Sequence, residues 1–151
     1  KRKPFIGNFT VALLTGVSIF LIGFYFQKSE LLVLTYAIFA FFLNLIREII
    51  KDIEDRQGDR KHGCRTLPIV IGFRRTKAVI FLIAGVFVCA ILIVMFKLDR
   101  PVIFYYFGGL GIFFTYFMYR IYIADRKDHF TKLSAIAKVL MLVGTISMGF
   151  L

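Results

Sequence analysis

The sequence predicts an all-α protein, a polytopic transmembrane helix bundle of five spans, on three observations. Of its 151 residues 59% are hydrophobic and 17% aromatic, 19 of them phenylalanine, which is more apolar surface than a soluble domain of this length can hide. Five stretches stay apolar over the ~20 residues of helix that cross a hydrocarbon core. The charge lies between those stretches and forms no contiguous basic face, so the net charge of +11 points to membrane topology and not to nucleic acid. Long buried strands are the rival reading, but strands of this length are rare, and backbone groups in lipid must be satisfied within a helix or a closed barrel.

The first span covers residues 6–26, which carry no charge. It reads as a full span and not as a signal peptide, since no small-residue cleavage site follows it. The second covers 31–50 and is uncharged until Arg47. The third, 77–96, starts from a basic flank. The fourth, 101–123, holds Tyr105, Tyr106, Tyr116, Tyr119 and Tyr122, which read as interfacial anchors, and Gly108, Gly109 and Gly111, which read as close helix packing. The fifth covers 133–151. No internal repeat or linker divides them, so residues 1–151 read as one bundle.

Seventeen of the twenty Lys and Arg fall in the leader, the segment 47–77 and the segment 120–138, against Lys28, Lys97 and Arg100 on the other side. That bias predicts an integral membrane protein with its charged loops in the cytoplasm. Cys64 and Cys89 have no metal or redox spacing. His62 lacks a second ligand nearby, and His129 falls in the second charged connection, which reads as a solvated connector. Asn44 reads either as lining for a polar chamber or as a helix–helix hydrogen bond.

The acids concentrate in residues 47–61, REIIKDIEDRQGDRK. The second helix is expected to continue past the membrane surface into this stretch for two or three turns. At 100° per residue Asp52, Asp55 and Asp59 then fall within a ~60° sector, with Glu48 one turn before. Like charges so spaced repel, and more strongly where water is scarce. A cation is therefore expected among them, and Mg²⁺ suits, since it binds through one or two carboxylates and recruits phosphate oxygens. Arg47, Lys51, Lys61 and Arg65 stand ready for such oxygens.

A solvated loop that only fixes topology is the plain alternative. The order that follows, Gly63, Cys64, Arg65, Thr66, Leu67, Pro68 and Gly72, reads instead as a shaped turn back into the membrane. The acids miss the register of a calcium loop, and no P-loop pattern is present.

Arg47-Glu48, Asp52-Ile53-Glu54-Asp55, Gly58-Asp59, Gly63 and Thr66-Leu67-Pro68 with Ile71-Gly72 resemble the second aspartate-rich motif of the UbiA superfamily of intramembrane prenyltransferases. The pattern is most similar to the digeranylgeranylglyceryl-phosphate synthase-like branch. The resemblance implies that the five spans correspond to helices five to nine of a nine-helix fold. It implies that Asp55 and Asp59 are the principal catalytic and metal-binding pair, with Asp52 an additional metal ligand. It also implies that Arg47, Lys51 and Arg65 contact the diphosphate, with Lys1 in the place of the lysine of a Tyr-x-x-x-Lys element. The family's first motif has no match, so the chain is expected to be the C-terminal portion of a longer enzyme, inactive without its N-terminal half.

The implied activity is Mg²⁺-dependent transfer of a prenyl group from a prenyl diphosphate to a lipophilic acceptor, whether lipid, quinone precursor or glycerol phosphate. The implied setting is a prokaryotic inner or plasma membrane. Two other classes stay open at this point, a transporter subunit with acids on an ion path and a non-enzymatic membrane scaffold. The first expects ionisable groups deep within spans, and their central portions have none.

Overall fold

The computed structural model describes residues 5–26, 30–97 and 101–147. These form helices only: α1 (Ile6–Tyr25), α2 (Glu30–Glu54), α3 (Arg56–Lys61), α4 (Leu67–Val70), α5 (Phe73–Lys97), α6 (Pro101–Ile123) and α7 (Lys127–Ser147). The five long ones are the five predicted spans. Four of them, α1, α2, α5 and α7, are long and apolar enough over their described residues to cross a membrane. α6 has 23 residues and a single charge, Arg120. The protein is an integral membrane helix bundle.

α2 is the centre of the bundle, packing on α1, α5 and α7. Of its span 67% is buried inside the molecule, against 22% for α1 and 28% for α5, whose outer faces are left to lipid. Leu43, Ile46, Ile49 and Ile50 of α2 are fully buried, and they meet Ile80 of α5 and Phe130, Leu133, Ala137 and Leu140 of α7 in one core. The α7 set recurs every three or four residues, the spacing that keeps side chains on one helix face.

α1 approaches α2 through its smallest residues. Ala12, Gly16 and Gly23 are buried, and a Cβ on Gly16 would stand 3.1 Å from the Ala37 carbonyl and the Phe41 Cβ, while one on Gly23 would collide with Val33. Small residues that let two backbones close up are how membrane helices associate where burial of apolar surface drives little.

Several boundaries differ from the sequence reading. α7 starts at Lys127, six residues before the expected span, because hydropathy marks what lies in lipid whereas Phe130 already packs into the core and draws the helix through its charged first turns. The second charged connection is therefore only residues 124–126, and His129 sits in the first turn of α7 and not in a loop. The end of the fifth predicted span, 148–151, lies outside the described residues. Gly108, Gly109 and Gly111 do not mark close packing, since among the described residues a Cβ on any of them would have no neighbour within 4 Å.

The shaped turn after α3 is present. Gly63 takes a left-handed φ of +66°, the Cys64 N–H bonds the Asp59 carbonyl at 2.9 Å, and the Gly63 N–H bonds that of Arg60 at 3.3 Å. This is the Schellman closure of a helix end, which glycine supplies without a Cβ penalty. Gly72, at φ +86°, then turns the chain into α5. Lys77 ties the start of α5 to the end of α6, donating to the carbonyls of Tyr122 at 2.7 Å and Ala124 at 2.9 Å. A cation suits those carbonyls, which carry the negative end of the α6 dipole.

Two outcomes are expected in thermal unfolding of the protein in detergent. Gly16→Leu forces α1 from α2 and costs about 1–3 kcal/mol, whereas Gly85→Leu, where a Cβ has open space, leaves the midpoint unchanged. Lys77→Met removes two charge-assisted bonds to helix-end carbonyls and lowers stability by about 1–3 kcal/mol.

Candidate functional site

The charged end of α2 carries the predicted site, and the helix reaches it almost intact. Asp55 is its one interruption, with φ −87° and ψ 2°, yet the i to i+4 pattern passes through it: its N–H bonds the Lys51 carbonyl, and its own carbonyl accepts from Asp59, both at 2.9 Å. The expected continuation of two or three turns is thus made by the last turn of α2 followed by α3. Gly58 lies inside α3 and does not end it.

The break at Asp55 separates the acids by burial. Asp52 is only 3% exposed, Asp59 is half-buried with Oδ2 out of solvent, and Asp55 is exposed. Asp52 is held by α1: its Oδ2 accepts from the Asn8 amide at 2.6 Å. Two turns toward the middle of the bundle, the Asn44 amide donates to the Thr15 hydroxyl at 2.7 Å, so Asn44 makes a helix–helix hydrogen bond. Asn8 and Thr15 stand seven apart on α1, and Asn44 and Asp52 eight apart on α2, as two antiparallel helices in contact require.

Asn8 was not legible as a site residue. The available signal was an amide in the first turn of a largely apolar span, where a buried polar group needs a partner.

Of the predicted cations, Arg47 is half-buried and donates from Nη1 to Glu48 at 2.6 Å. Its Nε is buried and, among the described residues, has no partner; the same holds for the hydroxyl of Thr66, which is 2% exposed at the start of α4. Buried polar groups are seldom left so, and each such exception asks for an explanation. Lys51 and Arg65 are exposed. Lys1 lies outside the described residues.

These groups fit Mg²⁺ in kind without forming a closed cage for it. The acids supply hard oxygen donors, with Asp52 buried and Asp59 half-buried. Among the described residues no three His, Cys, Asp or Glu side chains gather closely enough to hold an ion by themselves. Mg²⁺ commonly uses only one or two carboxylates and completes its shell with water and phosphate.

Away from the charge, α2, α5 and α6 border an apolar cavity of about 240 Å³, with Phe39, Phe87 and Phe114 on its wall and the open faces of Gly108 and Gly111 beside them. The tyrosines Tyr105, Tyr116, Tyr119 and Tyr122 are exposed and face away from the core.

A model of the UbiA prenyltransferase family matches residues 1–142. The chain is 34% identical to a digeranylgeranylglyceryl phosphate synthase of Methanosphaera stadtmanae over 161 aligned residues, covering 97% of this chain and 54% of that protein. A protein of the same name from Thermococcus gammatolerans is 51% identical over 75 residues, 50% of this chain and 27% of its own length. Another from Pyrococcus abyssi is 50% identical over 86 residues, 57% of this chain and 30% of its own. The chain spans about half the length of the curated relatives it matches, 54% in the longest of these alignments. No solved structure matches it. Helical architecture, the Asp-rich end of α2 and a match over nearly the whole chain converge: this chain belongs to the UbiA prenyltransferase family.

Proposed function

We propose that the protein transfers a prenyl group from a prenyl diphosphate to a glycerol-phosphate lipid within the membrane, with Mg²⁺ as cofactor. Among the acceptors the family admits, the names of the relatives favour a glyceryl phosphate. The observation that carries the reading is the buried carboxylate of Asp52 at the end of a membrane helix, with half-buried Asp59 and the partnerless Nε of Arg47 on the same stretch. A carboxylate taken out of water is costly unless bonds or a cation compensate it.

Asp52, Asp55 and Asp59 would hold the metal, which when bound supplies positive charge against the diphosphate oxygens. Arg47 offers its remaining guanidinium donors to a phosphate oxygen, and Lys51, Arg65 and Lys1 add point or forked contacts. The allylic C–O bond breaks, its electron pair leaves with the diphosphate, and the acceptor hydroxyl forms the new C–O bond and gives up its proton. Donors placed where charge develops on the leaving group are the strongest contribution a protein makes to such a step.

The apolar cavity between α2, α5 and α6 suits a hydrocarbon tail. Phe39, on its wall, lies thirteen residues before Asp52, roughly 20 Å along the helix at 1.5 Å per residue. A dry apolar chamber also protects an allylic cation from water. By the positive-inside bias the charged end faces the cytoplasm, and the N-terminal half of the enzyme supplies the family's first motif.

Asp55→Asn tests the reading, because Asp55 is exposed and its loss disturbs no core. In the full-length enzyme the variant is expected to keep its helical content and melting midpoint while turnover of labelled prenyl diphosphate falls a hundredfold or more. Chelation of Mg²⁺ gives the same loss in wild type. Wild-type rates in Asp55→Asn would defeat the assignment.

A further inference from the structure

α2 carries its acids on opposite faces. Asp52 and Glu54 are two residues apart, so their side chains leave the helix about 200° from one another. The hydrogen bonds agree: Asp52 is held by Asn8 of α1, whereas Glu54 accepts from the Thr131 hydroxyl of α7 at 2.9 Å. On the Glu54 side lies a second, open cavity, of about 440 Å³, bordered by the end of α2, α3, the start of α5 and the α6–α7 junction. None of Asp52, Asp55 and Asp59 lines it.

Three cations do line it, Arg56, Arg60 and Lys127. Among the described residues none of the three has an ion pair or a side-chain hydrogen bond. Two acids, Glu54 and Asp125, share the wall, so three cations against two carboxylates leave it net positive. Glu54 is taken by Thr131, and Asp125, whose side chain is 80% exposed, lies 3.7 Å from the ammonium of Lys77. Lys127 also opens α7, a helix of 21 residues whose first turn adds the positive end of its dipole. Opposite this charge the wall is greasy: Ile53 joins Phe73 and Phe130, which meet edge to face with centroids 5.7 Å apart.

Cations in excess around one cavity repel one another, and an anion offsets that excess. Two guanidiniums and an ammonium suit a phosphate, the first by forked contacts and the second as a point charge. An apolar wall beside the cations favours an amphiphile over a free ion, and a basic pocket between membrane helices at the bilayer surface is where anionic headgroups are held.

We propose that this cavity binds the phosphate headgroup of an anionic membrane lipid, at a site separate from the face that carries Asp52. The lipid then fastens the end of α2 and α3 to the start of α7, beside the Glu54–Thr131 bond. It binds whether or not prenyl transfer occurs, so the site stands or falls apart from the proposed reaction.

The test is native mass spectrometry of the intact protein with phosphatidic acid or phosphatidylcholine, in wild type and in the Arg56→Gln/Arg60→Gln/Lys127→Gln triple variant. Phosphatidic acid retention is expected to fall at least tenfold in the variant, with phosphatidylcholine unchanged. Arg74→Gln/Arg75→Gln, which removes two exposed cations outside the cavity, is expected to retain phosphatidic acid as wild type does. Arg60→Gln alone, at an exposed position, serves should the triple variant lose its helical content, and is expected to weaken retention at least threefold. Equal retention in wild type and the cavity variants would overturn the proposal. Displacement of the lipid by an equal concentration of inorganic phosphate would also overturn it, since the cavity would then be a free-phosphate site.

Discussion

The contact between α1 and α2 is the constraint on which the charged end of the molecule depends. Asn8 reaches the Asp52 carboxylate at 2.6 Å only because the two backbones lie close, and they lie close because Ala12, Gly16 and Gly23 put almost nothing between them. Remove the closeness and Asp52 loses the Asn8 amide while it stays buried, where each lost bond to a carboxylate is costly. Packing in the apolar part of the bundle therefore sets the electrostatics at its polar edge. The Asn44–Thr15 bond, two turns inward, fixes the register in which the two helices meet.

α2 is amphipathic in an unusual sense, since its polar end divides between two neighbours and not between protein and water. Asp52 belongs to α1, and Glu54 to α7. Ile49, Ile50 and Ile53 fill the space between, all three buried. This division separates the candidate metal face from the basic cavity without any added domain, because 100° per residue carries neighbouring acids to different partners. The slight change of path at Asp55 completes it, leaving that carboxylate in solvent while Asp59, one turn on, is half-buried again.

Much of this was legible in the sequence, for identifiable reasons. The five spans follow from hydropathy, because lipid tolerates no other way to satisfy the backbone. The turn at Gly63 and Gly72 follows from residue chemistry, as left-handed φ values of +66° and +86° favour glycine. The start of α7 did not follow, since its charged first turns are held by Phe130 packing on a helix some eighty residues away in the chain, which no local window contains. Nor did the openness of Gly108, Gly109 and Gly111: glycine in a span reads as close approach, whereas a Cβ on any of the three meets nothing within 4 Å among the described residues. Of the site, the acids were legible and their differing burial was not, because a single residue at ψ 2° alters the phase of the stripe. Arg56, Arg60 and Lys127 were read as topology signals, which count charge without asking where it converges.

The three environments of the acids also bear on how a family enzyme could keep its fold between turnovers. If the site relied on the metal alone to neutralise Asp52, Asp55 and Asp59, loss of the metal would leave three carboxylates in mutual repulsion at a bilayer edge. The structure relaxes that dependence residue by residue. Asp52 has an amide from α1, Asp55 is open to solvent, and Asp59 has its backbone carbonyl committed to the closing turn at Cys64, which anchors its position whatever its side chain meets. The arrangement holds the carboxylates by contacts of the chain itself, so the helix end is built whether or not the proposed cation and diphosphate are bound.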